Sequence, residues 1–150
     1  MPPLRLGAKA PTIRGISFAW RPVLVWFYKV TCPVCQLAAP AISKFHQSYT
    51  ERIFGVGQDP EPKLKEFSET WGLEIPSVHD LDPYPASTAY GVETLPTLFL
   101  IHPDRTIDDV VEGWDREGVN RVSRRFAMLA GEEYTQISSD GDGLPAFRPG

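Results

Sequence analysis

The apolar positions of this chain alternate between unbroken runs and helical stripes. Val23-Leu24-Val25-Trp26-Phe27-Tyr28 is a continuous apolar run of β-formers. A run without polar alternation predicts a strand buried on both faces, as in the middle of an α/β sheet. Val34, Leu37, Ala38, Ala41, Ile42, Phe45 and Tyr49 then follow i, i+3, i+4, i+7 spacing, one apolar face of a helix. Pro33 suits the first helical position, where its missing N–H costs nothing, and this places Cys32 at the cap. Pro40 lies inside the same pattern and predicts a kink.

Ile53–Gly57 predicts a second strand, and Leu64, Phe67 and Trp71 mark a short helix ending at Gly72. Ser77–Asp80 reads as a short strand, Asp82-Pro83-Tyr84-Pro85 as a turn, and the next residues as a brief helix to Tyr90 that stops at Gly91. Thr97–Ile101 is another buried-strand run. His102-Pro103-Asp104-Arg105 predicts a hairpin turn into a strand around Asp109–Trp114. Val119, Val122, Phe126, Leu129 and Ala130 define the last amphipathic helix. The order mixes parallel crossovers with one late hairpin and predicts a three-layer α/β sandwich with a mixed β-sheet flanked by helices. Residues 1–22 read as an irregular lead-in, punctuated by Pro2, Pro3, Gly7, Pro11, Gly15 and Pro22. The domain is expected to run over 1–136. Residues 137–150, polar and rich in Gly and Pro, are expected to form a flexible tail.

A length of 150 residues fits one domain that needs no disulfide staples to fold. The 15 prolines are about twice average usage, so many turns are fixed covalently. A net charge of −4 offers no electrostatic footprint for nucleic acid or an anionic membrane. No stretch approaches the ~18 apolar residues of a membrane helix. The first 22 residues hold no continuous apolar signal core, so the expected compartment is the cytoplasm. An extracytoplasmic location is the alternative if a leader was trimmed.

Two cysteines occur, three apart, as Cys32-Pro33-Val34-Cys35. Two sulfurs in a first helical turn can approach bonding distance. The first sits where unpaired backbone N–H groups and the positive end of the helix dipole favour an anion. The thiolate is the attacking species in disulfide exchange, so Cys32 is the expected nucleophile and Cys35, one turn in, the resolving thiol. An inert four-residue disulfide loop would contribute only roughly 2 kcal/mol. Zinc usually takes four ligands, and His46, His79 and His102 are scattered. Asp140-Gly141-Asp142-Gly143 lacks the spacing and terminal Glu of a calcium loop. No metal or organic cofactor is expected.

CPVC after VLVWFYKVT, Pro40 five residues past the second cysteine, and Thr94-Leu95-Pro96-Thr97 before a buried strand resemble the thioredoxin superfamily. The lead-in GAKAP, the insert around Gly57–Pro76 and YGVETLPTLFLIHPDRT are most similar to the TlpA-like thiol-disulfide oxidoreductases. The resemblance covers roughly residues 7–130. It implies a thioredoxin-like sandwich and exchange of a Cys32–Cys35 dithiol with protein substrates through a mixed disulfide at Cys32. It also implies a cis Pro96 facing the cysteines, with the Leu95 backbone free to pair with an extended substrate. Thr94, Pro33 and Val34 complete the expected substrate-binding set. The implied partners are cysteine-containing proteins and an upstream dithiol electron donor or acceptor, for a monomer.

Three positions depart from those families. Trp26 stands where thioredoxins carry a buried acid, Ala38 where some TlpA-like proteins carry Glu, and Thr31 where an aromatic usually precedes the first cysteine. The proton acceptor for Cys35 is thus unassigned, with Lys29, Glu93 and Asp82 as candidates. The alternative function is a peroxiredoxin-like thiol peroxidase. That chemistry uses a Thr three residues before the reactive cysteine, a position held here by Lys29 for Cys32. A non-catalytic binding module is a third reading, opposed by the intact cysteine pair. The four tryptophans read as core or rim packing, and Arg121, Arg124 and Arg125 as a solvated helix face.

Overall fold

In the central strand, side chains alternate into two separate cores: Val23, Val25 and Phe27 on one face, Leu24, Trp26 and Tyr28 on the other. That is why its sequence shows no polar positions. The structure, a computed structural model, describes residues 4–150, so Pro2 and Pro3 of the lead-in lie outside the described residues. The elements run β1 (Val23–Tyr28), α1 (Pro33–Ser48), β2 (Ile53–Gly57), α2 (Glu61–Trp71), β3 (Ser77–His79) and α3 (Pro85–Ala89). They continue with β4 (Thr97–Ile101), β5 (Ile107–Glu112), β6 (Trp114–Asp115), α4 (Arg116–Ala130) and β7 (Phe147–Arg148). Among the described residues one sheet has five strands in the order β3-β2-β1-β4-β5, and β6 pairs with β7.

β1 runs parallel to β2 and antiparallel to β4, so the sheet is mixed. β3 lies parallel outside β2, and β5 antiparallel outside β4. One face is covered by α1, α2 and α4 through Ile42, Phe45, Leu64, Phe67, Val122 and Phe126. The other is covered by the irregular lead-in, through Ala10, Ile13, Ile16 and Phe18, together with Tyr90. The Tyr90 hydroxyl donates to the Pro11 carbonyl at 2.6 Å, tying lead-in to sheet. The lead-in thus does the work of a layer without regular structure.

β5 differs from the strand expected around Asp109–Trp114. It begins at Ile107 and ends at Glu112, with Ile107, Asp109 and Val111 facing inward. Gly113 has φ +70, a left-handed conformation that breaks the strand and lets β6 begin anew. Arg121 and Arg125 correct the expectation of a solvated helix face. Arg121 forms a two-pronged pair with Asp109 at 2.8 and 3.0 Å. Arg125 does the same with Asp108 at 3.1 and 2.8 Å, and Arg124 lies over the Tyr134 ring. A helical face opposite the apolar stripe still meets the sheet edge when a neighbouring strand presents carboxylates.

Residues 137–150, expected to form a flexible tail, make specific contacts with α4 and β6 along part of their length. Ile137 and Ser138 are fully buried, and the Asn120 side-chain oxygen Oδ1 accepts from both of their N–H groups. Arg116 reaches Asp140, Asp142 and the Leu144 carbonyl. The buried Trp114 donates its indole N–H to the Pro145 carbonyl at 2.7 Å. The partners that order this polar segment come from α4 and β6, so its own composition does not disclose them.

Candidate redox-active site

The site forms where β1 ends and α1 begins. Cys32 is the N-cap of α1 in an extended conformation, with Pro33 opening the helix. Its sulfur accepts the Cys35 N–H at 3.1 Å, one of the amides a helix start leaves without a partner. Cys32 is half-buried, Cys35 is fully buried, and both are free thiols.

The two sulfurs therefore diverge in acidity. The Cys35 thiol hydrogen-bonds to the Cys32 sulfur and, with the Cys35 and Val34 N–H groups, lowers the Cys32 pKa to about 6 against the opposing effect of burial. Burial pushes the Cys35 thiol up, reinforced by the hydrogen bond to Cys32 and by the neighbouring negative charge. The Lys29 N–H opposes that rise. Beneath the pair, burial raises the Tyr28 phenol to about 12, so it stays protonated and donates to Ser77 at 3.0 Å.

The loop before Cys32 is held on both sides of Val30. Asp59 accepts the Val30 N–H at 2.9 Å, and the Gln36 amide donates to the Val30 carbonyl at 2.9 Å. Neither residue stood out in the sequence. The available signal for Asp59 was its place just beyond the carboxyl end of β2, the edge where open α/β sheets build their sites.

Leu95 and Pro96 reach the cysteines from across the sheet. The Leu95–Pro96 peptide is cis, and the Cys32 thiol donates to the Leu95 carbonyl at 3.6 Å. Thr94 and Leu95 are half-buried and Pro96 is buried; the Thr94 carbonyl accepts the Thr97 hydroxyl at 2.6 Å. Pro33 is exposed beside Cys32. Val34, expected to touch substrate, turns into the helix-side core at 8% exposure. The first helical turn rotates it inward, and Thr31 and Pro33 supply the exposed surface instead. Of the acceptor candidates, Lys29 approaches Cys35 through its backbone N–H, Glu93 is exposed, and Asp82 lines a groove with Thr12, Arg14 and His79.

Comparison with known proteins bears on this arrangement. The AhpC/TSA family model matches residues 9–110, which include both cysteines, Leu95 and Pro96. The chain belongs to the AhpC/TSA family. It is 27% identical over 105 residues to the thiol-disulfide oxidoreductase ResA of Geobacillus thermodenitrificans. That match covers 67% of this chain and 59% of the relative, so the chain spans somewhat over half of the relative's length. Among solved structures it resembles the thioredoxin domain of a Bacteroides vulgatus thiol-disulfide oxidoreductase. There the TM-score is 0.69 with 24% identity, over 82% of this chain and 99% of that one. It also resembles a secreted Mycobacterium tuberculosis disulfide oxidoreductase, with TM-score 0.58 and 21% identity, over 73% and 82% of the two chains. The AhpC/TSA chain described here therefore has the thioredoxin fold.

The acidity of Cys32 has a measurable signature in this AhpC/TSA protein. Its alkylation rate should rise with pH around a midpoint near 6. Cys35→Ala removes the leading hydrogen bond, so the midpoint should move up; Cys35→Ser, which keeps a hydroxyl donor, should move it less. A midpoint near the free-thiol value of about 8.5 in the unaltered protein would contradict the geometry. The same shift links to stability. Folding favours the Cys32 thiolate, so this stabilisation is full above about pH 8.5, shrinks as pH falls, and is gone below about 6. The raised Cys35 works against it, withdrawing stability above the unfolded thiol pKa.

Proposed function

We propose that this protein is a thiol-disulfide oxidoreductase acting on cysteine-containing proteins. The observation that carries the reading is the asymmetric cysteine pair: a half-buried, acidic Cys32 capping α1 directly over a buried, weakly acidic Cys35. In the reducing direction the Cys32 thiolate attacks a substrate disulfide. A Cys32–substrate bond forms, and one substrate sulfur leaves as a thiolate that takes up a proton. Cys35 then loses its proton and attacks the Cys32 sulfur. The second substrate thiolate departs, and the Cys32–Cys35 disulfide carries the two electrons' worth of oxidation. A dithiol of a partner protein reverses these steps and resets the pair. The Leu95 backbone, beside Cys32, is the edge on which an extended substrate would pair.

Exchange of this kind needs neither metal nor organic cofactor. Thiol peroxidase chemistry is less favoured, because the position three before Cys32 is Lys29 and the curated relative is a thiol-disulfide oxidoreductase. The kinship with a secreted oxidoreductase supports an extracytoplasmic compartment over a cytoplasmic one. Among the described residues no helix is long and apolar enough to cross a membrane.

Insulin reduction driven by dithiothreitol tests the function. The protein should accelerate it, and stopped-flow mixing of the reduced protein with hydrogen peroxide should show only slow oxidation. Fast peroxide consumption without insulin turnover would reverse the two readings.

A further inference from the structure

The segment that the sequence left outside the domain ends on the edge assigned to substrate. β7 pairs with β6 through Trp114↔Arg148 and Asp115↔Phe147, and the chain then crosses Gly113. A Cβ built on Gly113 would lie 2.7 Å from the Arg148 carbonyl oxygen, 2.9 Å from the Gly150 nitrogen and 3.3 Å from the Pro149 Cα. Gly113 in turn donates its N–H to the Pro96 carbonyl at 2.7 Å. Gly150 itself abuts the Leu95 carbonyl, and a Cβ there would come within 2.5 Å of the Thr94 methyl. This is the same Leu95 carbonyl that receives the Cys32 thiol.

We propose that residues 147–150 occupy the Thr94–Leu95 docking edge in place of a substrate strand, and that substrates bind by displacing them. The inference rests on the oxidoreductase reading and adds what covers its site. Two backbones cannot occupy the same face of Leu95. The contact at Gly150 is tight enough to leave no room for a side chain, so no substrate strand fits between tail and edge. The hold is local and light. Phe147, Arg148, Pro149 and Gly150 are all exposed on their outer sides. The anchors that seat the rest of the segment lie earlier: Arg116 on Leu144, Trp114 on Pro145, and the Arg116 N–H on the Ala146 carbonyl. Displacement of 147–150 leaves all three intact. The partner that fits this edge is an extended peptide, able to pair with backbone groups, carrying a cysteine near the strand position facing Cys32.

A covered site lowers apparent affinity by the fraction of time it is open, so a tail in place about nine-tenths of the time weakens substrate binding about tenfold. The test is a chain stopped after Ala146, which retains the three anchors. Its KM for insulin reduction should fall several-fold with kcat nearly unchanged, and a bulky maleimide should label Cys32 faster. Equal KM and equal labelling in the two chains would overturn the proposal while leaving the oxidoreductase reading intact. Absence of insulin turnover in both chains would remove that reading, and this one with it. A second measurement uses the 150-residue chain. In Cys35→Ser, trapped as a mixed disulfide with an extended cysteine peptide, the Arg148 amide, which faces Trp114 across the β6–β7 pair, should lose hydrogen-exchange protection. Retained protection in the trapped adduct would show tail and substrate bound together and defeat the proposal even if the shortened chain folds poorly.

Discussion

Replacing Cys32 by serine should reduce insulin turnover to the rate of dithiothreitol alone, and replacing Cys35 should instead trap the protein on its substrate. The two outcomes differ because the sulfurs do different work. Serine at position 32 has no accessible anion near neutral pH and forms no disulfide, so the first bond never forms. With Cys35→Ser the first bond forms and nothing inside the protein can break it. A Cys32–substrate adduct should then accumulate on a non-reducing gel and disappear with excess thiol. Reversed behaviour, with the adduct building up only in Cys32→Ser, would exchange the two roles.

The size of the acidity shift indicates what it is for. At pH 7 a thiol of pKa about 6 is roughly nine-tenths ionised, against about 3% for a free cysteine, a gain of about 30-fold. Intrinsic nucleophilicity falls with pKa at a Brønsted slope of about 0.4–0.5, which returns roughly tenfold of that gain. Faster attack is therefore a minor benefit. The larger consequence is that Cys32 becomes a good leaving group and that the reduced form is stabilised, which makes the disulfide more oxidising. Its reduction potential should lie above the roughly −270 mV of thioredoxin, as equilibration with glutathione would show.

Trp114→Ala should destabilise the fold by about 3–5 kcal/mol, a large share of the roughly 5–15 kcal/mol that holds a domain together. Trp114 is 1% exposed and packs in the helix-side core with α1 and α4. Its indole N–H also seats residues 144–146 through Pro145. Alanine leaves a cavity and an unpaired carbonyl in the same place. Trp114→Phe refills most of the volume and loses only the hydrogen bond, so it should cost clearly less. Urea unfolding of the three proteins measures both differences. A near-neutral Trp114→Ala would contradict the packing of this side chain in the helix-side core.

The sequence alone determined the parts of this protein whose signals are local. Val23–Tyr28 and Thr97–Ile101 announce buried strands because both of their faces are apolar, and each forms as read. Pro33 after Cys32 marks the helix start, because the missing proline N–H is harmless only there. Those two facts already place a thiol at a helix cap beyond a buried strand, and hence the chemistry.

Tertiary structure decided what depends on partners distant along the chain. The lead-in covers much of one sheet face without any periodic pattern, since irregular backbone can bury Ile13, Ile16 and Phe18 wherever a sheet supplies the opposite surface. Asp59 holds Val30 from 29 residues away, and no local rule reveals such a bond. Arg121 and Arg125 read as solvated because they lie opposite the apolar stripe of their own helix; Asp108 and Asp109 on β5 meet them there. The polar composition of 137–150 fits a loose tail as well as a packed one. Asn120, Arg116 and Trp114 provide the donors and acceptors that order it, and their positions exist only after α4 and β6 have docked on the sheet.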